Sequence, residues 1–104
     1  MLEVIEVKCR DALSDSFKTV WLEERKAVNL RRWADLYSAE GVFVVEWGDG
    51  RLFWIDVRDA VRAAGGEPVV RSRVDRIDPH DSDLVYEVPL SAMREVLDEP
   101  GRGA

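Results

Sequence analysis

Residues 2–9 read Leu2-Glu3-Val4-Ile5-Glu6-Val7-Lys8-Cys9, a run in which apolar and polar side chains largely alternate. Successive side chains of a β-strand point to opposite faces, so Glu6 and Lys8 are predicted to project from one face. A carboxylate next to an ammonium can hold a divalent cation and orient an attacking water. The stretch therefore predicts both the first strand of the fold and a candidate site on it.

The segments that follow alternate between loop, strand and helix patterns. Residues 10–16 are polar and predict an exposed loop, and residues 17–22 predict a short strand. A helix is expected from Glu23 and Glu24, because acidic side chains suit the positive end of the helix dipole, and Gly41 is expected to terminate it. The apolar stripe of this helix is predicted to contain Ala27, Leu30, Trp33, Ala34 and Tyr37.

A hairpin is the clearest element of the middle of the chain. Residues 41–47 are almost continuously apolar, which is typical of a strand covered on both faces. Residues 51–57 return as a second strand after the turn Gly48-Asp49-Gly50. Beyond it the pattern predicts a helix over 58–64, a strand over 68–77, a loop over 78–83, a strand over 84–88 and a helix over 90–97. We therefore predict an α/β fold in which a mixed sheet is flanked by helices.

Composition places the 104-residue chain among globular proteins, with 46% hydrophobic and 35% charged residues. We predict one domain over residues 1–100 and a frayed tail over 101–104. No apolar run is long enough to span a bilayer, and no signal peptide is visible, so no membrane association is expected. The lone Cys9 fits a reducing cytoplasm and is expected to pack as a small hydrophobe.

Charge is distributed unevenly within the net value of −6. Residues 1–73 carry 13 acidic and 12 basic side chains, whereas residues 74–104 carry 8 acidic and 3 basic ones. Nucleic-acid-binding domains usually show a basic surplus, and its absence counts against DNA binding, although a local basic patch can act within an acidic whole.

The order of these elements resembles the second half of the PD-(D/E)XK nuclease fold, and most of all the archaeal Holliday-junction resolvases. The resemblance covers residues 2–60, with residues 1–66 as the nuclease-like core and residues 67–100 as a strand–helix extension without a match. The segments that carry it are Val4-Ile5-Glu6-Val7-Lys8, Thr19 to Leu22, Leu30 to Ala34, Val42 to Trp47 and Leu52 to Val57. It implies a restriction-endonuclease-like sheet.

The resemblance also implies a function, namely Mg²⁺- or Mn²⁺-dependent hydrolysis of a phosphodiester in branched DNA by a dimer. Glu6 would be a metal ligand, and Lys8 would orient or deprotonate the attacking water. Arg10 and Lys18 hold positions comparable to those that touch DNA phosphates in such enzymes.

The family pattern also includes an aspartate on a preceding strand and an acidic residue on an N-terminal helix, and neither has a counterpart before Met1. Three alternatives follow. The elements are lost and the protein is inactive, or the true start lies upstream, or the acidic residue comes from elsewhere. The last alternative names a partner chain or the predicted C-terminal loop, with Asp78, Asp81 and Asp83.

Two other function classes compete with an active nuclease. One is a catalytically inactive relative that binds DNA or protein, and the other is a small α/β interaction module whose working surface is the acidic tail. Without the family's N-terminal elements one side of the sheet is expected to be uncovered, so we expect a homodimer or a partner chain, bound through the N-terminal strand or the hairpin.

Several conspicuous side chains are given structural interpretations. The four tryptophans could stack on bases but are predicted to belong to the core, and His80 is assigned to a solvated turn rather than to a metal site. Arg31 and Arg32 are placed on the polar face of the helix. The tryptophans are Trp21, Trp33, Trp47 and Trp54.

Overall fold

The first strand, β1 (Glu3–Arg10), follows the alternation of residues 2–9. In the computed structural model, which describes residues 2–72 and 82–96, six further strands and two α-helices follow it. They are β2 (Thr19–Glu23), α1 (Glu24–Leu36), β3 (Glu40–Trp47), β4 (Leu52–Asp56), α2 (Val57–Ala63), β5 (Val69–Ser72), β6 (Ser82–Pro89) and β7 (Arg94–Val96), with a 3₁₀ turn at Leu90–Ala92.

The strands form two sheets. Sheet A is mixed and has the order β1-β3-β4-β7, and sheet B is antiparallel and has the order β2-β6-β5. β1 runs parallel to β3, from Glu3 opposite Glu40 to Arg10 opposite Trp47. Parallel neighbours need a crossover connection, and here β2 and α1 supply it. The predicted α/β fold with a mixed sheet and flanking helices is confirmed, whereas the second sheet was not predicted.

The hydrophobic core lies on one face of sheet A, which we call the inner face. β3 and β4 contribute Phe43, Val45 and Ile55, and α1 covers them with Ala27 and Leu30. Both sheets and both helices share this core, which also includes Val20, Leu22, Trp47, Val57, Ala60, Tyr86, Val88 and Met93. The nearly continuous apolar run of β3 is thereby explained as a strand whose side chains are mostly buried.

The opposite, outer face of sheet A is much less covered at β1. Ile5 and Val7 alternate with Glu6 and Lys8, and they remain 51% and 55% exposed. Cys9 lies on the same outer face and is exposed, so its prediction as a packed hydrophobe was wrong. Strand alternation is the cause, because Cys9 takes the face opposite to Lys8.

Helix α1 does not end at Gly41. It ends at Leu36, and Ser38 takes the left-handed turn conformation with φ of 50°. Gly41 lies instead in β3, where an added Cβ would come within 3.0 Å of Val57 and 3.2 Å of Leu30. The glycine therefore serves the close packing of the helices on the sheet, and its prediction as a helix terminator was wrong.

The predicted helix over 90–97 was also wrong within the described residues. After the 3₁₀ turn, β7 pairs antiparallel with β4, with Arg94 opposite Trp54. The guanidinium of Arg94 lies 5.7 Å from a Trp54 ring centroid, and Glu95 accepts a hydrogen bond from Arg51 at 3.0 Å. A free edge of β4 thus offers backbone and side-chain partners that override a helical pattern.

The remaining boundaries agree more closely. The helix predicted over 58–64 is α2, and Gly65 and Gly66 follow it with φ of 93° and 84°. The strand predicted over 68–77 is β5 at Val69–Ser72, with residues 73–77 outside the described residues. Asp83, predicted in a loop, belongs to β6. Asp78, His80, Asp81 and residues 97–104 lie outside the described residues, and the one-domain prediction stays a prediction.

The loop after β1 is fastened to the β3–β4 turn at Gly48. The Gly48 N–H donates to the Ala12 carbonyl at 2.9 Å, and the Ser14 hydroxyl donates to Asp49 at 2.7 Å. An added Cβ on Gly48 would lie 2.1 Å from the Asp11 carbonyl oxygen, so the backbone would have to shift.

We expect Gly48→Ala to lower the free energy of unfolding by roughly 1–3 kcal/mol or more and to displace this loop. Chemical denaturation with tryptophan fluorescence would measure both effects, because Trp47 is adjacent. Gly50→Ala is the control for backbone strain without a clash, since no atom lies within 4 Å of its added Cβ but its φ of 82° is one that side chains rarely adopt. Equal loop displacement in both variants would contradict the steric explanation.

Among the described residues, no helix has the length and apolar character needed to cross a membrane.

Candidate active site

Glu6 and Lys8 project from the inner face of β1, as the alternation predicts. Parallel pairing places Glu6 opposite Phe43 and Lys8 opposite Val45, so both polar side chains stand beside the hydrophobic core. The Lys8 side chain is only 11% exposed and that of Glu6 is 34% exposed. Polar groups at such positions need partners, because burial without them is costly.

Lys8 finds its partners at the end of β2. Its ammonium donates a hydrogen bond to the Trp21 carbonyl oxygen and lies 3.5 Å from Glu23 Oε1. Burial lowers the pKa of Lys8 to about 8, and the negative charge of Glu23 only partly offsets that effect. The ammonium is thus held in a fixed position. It also loses its proton at a lower pH than the ammonium of an ordinary lysine does.

Glu23 is the last residue of β2 and precedes the first turn of α1, and it is 4% exposed. Burial by itself raises the pKa of Glu23. A hydrogen bond from its own backbone amide and the charges of Lys8 and Lys26 outweigh burial, and the pKa lies below its usual value. Glu23 is therefore a buried carboxylate that stays ionised at neutral pH.

Lys26, one turn into α1, connects the two carboxylates. Its ammonium lies 3.6 Å from Glu6 Oε1 and 3.7 Å from Glu23 Oε2. Glu6, Lys8, Glu23 and Lys26 therefore form one group of alternating charges, which we call the charge cluster. Two carboxylates from different elements converge on one cation, which is an arrangement that could also hold a metal ion.

The charge cluster supplies a limited set of metal ligands. No group of three or more His, Cys, Asp or Glu side chains suited to a metal occurs within residues 2–72 and 82–96. Mg²⁺ is often bound through one or two carboxylates together with substrate phosphates and water, and Glu6 and Glu23 are the two carboxylates that the charge cluster contains. Asp83 lies in β6, opposite Arg71 of sheet B, and belongs to no such group.

The two predicted phosphate contacts lie near the loop that follows β1. Arg10 is half-buried on the inner face, two residues after Lys8, and lines a cavity of about 440 Å³. Lys18 is exposed, and its carbonyl oxygen accepts a hydrogen bond from Leu90 at 2.9 Å. Neither cation forms an ion pair with the part of the chain that the structure describes.

Glu23 and Lys26 were missed as site residues by the sequence analysis, which treated Glu23 only as the start of a helix. One signal was available in the sequence, because Glu23 directly follows the apolar end of a predicted strand, where a charged side chain is expected to need a partner. The partnership with Lys26 at i+3 is the spacing that brings helical side chains together. No sequence pattern indicates that either residue contacts β1. Those contacts arise because the crossover from β1 to β3 brings β2 and α1 over β1.

Tryptophan burial follows the predicted core assignment only in part. Trp47 is 3% exposed and belongs to the core, whereas Trp33 is 52% exposed and stacks on Tyr37 with centroids 5.9 Å apart. The prediction of Trp33 as a core residue was wrong, because α1 buries a narrower stripe through Ala27, Leu30 and Ala34. Trp21 and Trp54 are half-buried.

Comparisons with the profiles of known protein families, with curated proteins and with solved structures found no match.

Proposed function

We propose that the protein acts on DNA as a metal-dependent phosphodiesterase of the PD-(D/E)XK type, resembling a Holliday-junction resolvase, in the cytoplasm. The observation that carries the proposal is the charge cluster. Glu6 and Lys8 share the inner face of β1, and the Lys26 ammonium lies within 4 Å of both the Glu6 and the Glu23 carboxylates. Hydrolysis of a phosphodiester needs that combination of carboxylates for a metal and a fixed cation for phosphate charge.

In this proposal Glu6 and Glu23 are the residues that would hold Mg²⁺ or Mn²⁺. The ion would supply charge neutralisation at the phosphate and a more acidic water. Lys26 has the freedom to move aside, because its side chain is 39% exposed and bound by ion pairs alone among the described contacts. Its ammonium is then available to the incoming phosphate.

Lys8, unlike Lys26, is not free to move. Its ammonium is fixed between the Trp21 carbonyl and Glu23, so it acts in place. It orients the attacking water or stabilises the charge that develops on the phosphate. Arg10 and Lys18 bind neighbouring phosphates, and a few such contacts can attract DNA to a protein of negative net charge.

Metal binding gives the direct test of this proposal. Mg²⁺ or Mn²⁺ should raise the melting temperature of the wild type, because a ligand that binds the folded state stabilises it. Glu6→Ala should abolish that rise, since it removes one of two carboxylates. Differential scanning fluorimetry with and without metal measures both. An equal metal response in wild type and Glu6→Ala would refute the assignment of the site.

Assembly is a second part of the proposal, and the outer face of β1 supports it. Ile5 and Val7 are half exposed, and β1 pairs on one side only, with β3, among the described strands. A free strand edge with apolar side chains favours association with another chain. We propose a homodimer formed through β1.

We expect the protein to sediment as a dimer and Ile5→Lys with Val7→Lys to convert it to a monomer, because two charges would have to be desolvated in the interface. Light scattering and analytical ultracentrifugation measure the change. Val28→Lys is the control, since Val28 is 45% exposed on α1, which packs on the inner face of sheet A rather than on the outer face. A wild type that stays monomeric from micromolar to millimolar concentration would rule the dimer out.

A catalytically inactive relative or an interaction module with an acidic surface remains the second candidate. The observation that favours it is the occupation of the charge cluster, in which every carboxylate already has an ammonium within 4 Å. A protein of this kind would show no metal response in the melting experiment and no cleavage of DNA.

A further inference from the structure

A cavity of about 440 Å³ opens beside the charge cluster, at the end of β1. Its volume lies within the roughly 300–1,000 Å³ that small-molecule sites occupy. Arg10 lies two residues beyond Lys8 on the same face, which is a separation of about 7 Å at the usual rise of a strand. The side chains that give the cavity its chemistry are Arg10, Asp11, Phe17, Thr19, Trp21 and Trp47.

Three of the eight lining residues are aromatic. Phe17 stacks on Trp47 with centroids 6.4 Å apart and an interplanar angle of 21°, yet Phe17 remains 57% exposed. Trp21 adds a third ring, from the strand whose carbonyl holds Lys8. An exposed ring already parallel to a buried one offers a flat face to another planar group.

Trp47, which lines the cavity, also carries a buried hydrogen-bond donor. Its side chain is 3% exposed, and its indole Nε1 has no hydrogen-bond partner in the described part of the chain. Indole Nε1–H can only donate, so it requires an acceptor, and unsatisfied buried groups are rare in folded proteins. Asp11 and Thr19, which line the same cavity, provide acceptors in turn.

The ligand class follows from these three properties together. An exposed aromatic ring, polar residues in the same lining and the cation of Arg10 suit a planar heteroaromatic ring attached to a phosphate. A nucleotide has that constitution, whereas a phenyl ring has neither edge acceptors nor an anion. Stacking on aromatic side chains is the common way in which proteins hold unpaired bases.

We propose that this cavity binds one unpaired nucleobase of a DNA strand, with Arg10 on its phosphate and the adjoining phosphodiester at the charge cluster. The inference rests on the proposed function, because it takes the same strand to both places. It adds a substrate preference, namely DNA with at least one base out of the duplex. The base stacks on the exposed ring of Phe17, which is itself stacked on the buried ring of Trp47.

The test compares two single-stranded probes in the presence of EDTA, so that cleavage plays no part. One is a fluorescein-labelled deoxythymidine octamer, and the other is an octamer of the same charge with abasic sites. The octamer with bases should bind on the order of tenfold more tightly, as measured by fluorescence anisotropy. Equal affinity for the two probes would overturn the proposal.

Single substitutions test whether base-dependent binding occurs at this cavity. Phe17→Ala and Trp47→Phe should each bring the affinity for the thymidine octamer close to that for the abasic octamer. Trp33→Ala is the matched control, because Trp33 is also an exposed, stacked aromatic ring but lies on α1. Circular dichroism confirms folding of each variant, and Phe17, being exposed, keeps the test valid even where Trp47→Phe unfolds. Loss of base preference in Trp33→Ala, or its retention in Phe17→Ala, would contradict the assignment.

The outcome separates this inference from the proposed function. Base-dependent binding without Mg²⁺-dependent cleavage would support the cavity and refute the nuclease. Cleavage without base-dependent binding would support the nuclease and refute the cavity. If N-acetyl-phenylalanine amide displaces the octamer more strongly than thymidine monophosphate does, the cavity takes aromatic peptide side chains, and the nucleobase proposal is wrong.

Discussion

Lys8→Ala is expected to reduce Mg²⁺-dependent cleavage of a four-way DNA junction by about a hundredfold to ten-thousandfold. The physical reason is that Lys8 is the one cation of the charge cluster fixed by a hydrogen bond, to the Trp21 carbonyl, as well as by an ion pair. Its loss removes a positioned group from the reacting phosphate. Single-turnover rates on labelled junctions, with protein in excess, measure the effect on chemistry apart from binding.

Arg10→Ala provides the contrast to Lys8→Ala. In the proposed complex Arg10 would contact the DNA but not the reacting phosphate, so its replacement should weaken binding with a smaller effect on the rate in the bound state. Junction binding by Lys8→Ala itself should fall only modestly. A wild-type protein that neither cuts nor binds junction, duplex or single-stranded DNA at low salt would end the nuclease proposal and favour the acidic interaction module.

Glu23→Ala should lower the free energy of unfolding by about 3–5 kcal/mol. Glu23 is 4% exposed and neutralises Lys8, whose side chain is 11% exposed, so its removal leaves an ammonium buried with a single carbonyl partner. Urea denaturation in metal-free buffer measures the loss. Glu23→Gln keeps the shape and isolates the effect of the charge.

Asp35→Ala serves as the control for the buried pair. Asp35 binds Arg58 at 2.7 Å, but both side chains are more than half exposed, and such surface pairs contribute about 0–1 kcal/mol. A loss for Glu23→Ala no larger than that for Asp35→Ala would show that the charge cluster contributes little to stability.

The same two residues make stability depend on pH in metal-free buffer. Because the pKa of Glu23 is lowered in the folded protein, its contribution is present above the unfolded value of about 4.5 and is lost as the pH falls through the folded value. Lys8 has its pKa lowered from 10.5 to about 8, so its cost is present below about pH 8 and is relieved as the pH rises toward 10.5. Both terms make the free energy of unfolding increase with pH.

Local pattern was sufficient wherever one segment determines its own structure. Alternation placed Glu6 and Lys8 on one face of β1, and the continuous apolar run and its turn predicted the β3–β4 hairpin. The charge cluster could be predicted only by half, because Glu23 and Lys26 reach Glu6 through the crossover, and no local signal encodes that approach. β7 was mistaken for a helix because the free edge of β4 decides its structure.

The functional interpretation also combines a local sequence pattern with contacts that form only in the folded chain. Glu-x-Lys in a strand is a short pattern that also occurs as an ordinary solvent face, and the resemblance to a nuclease rests on the order of elements around it. Side-chain geometry adds Glu23 as a second carboxylate, which no periodicity would have selected. The cavity beside Arg10 joins residues from β1, the following loop, β2 and β3, so it exists only in the folded chain.

The parallel pairing of β1 with β3 has a consequence for the newly made chain. β1 leaves the ribosome before β3, and because Glu3 pairs with Glu40 and Arg10 with Trp47, its only described partner strand emerges later. At the roughly 5–20 residues per second of translation, β1 waits on the order of two to seven seconds without a neighbour. Throughout that interval the backbone of β1 has no strand to pair with, and the apolar side chains of Ile5 and Val7 are exposed beside it. We expect nascent chains stalled before β3 to recruit chaperones that bind extended apolar segments, and chains extended past β4 to release them.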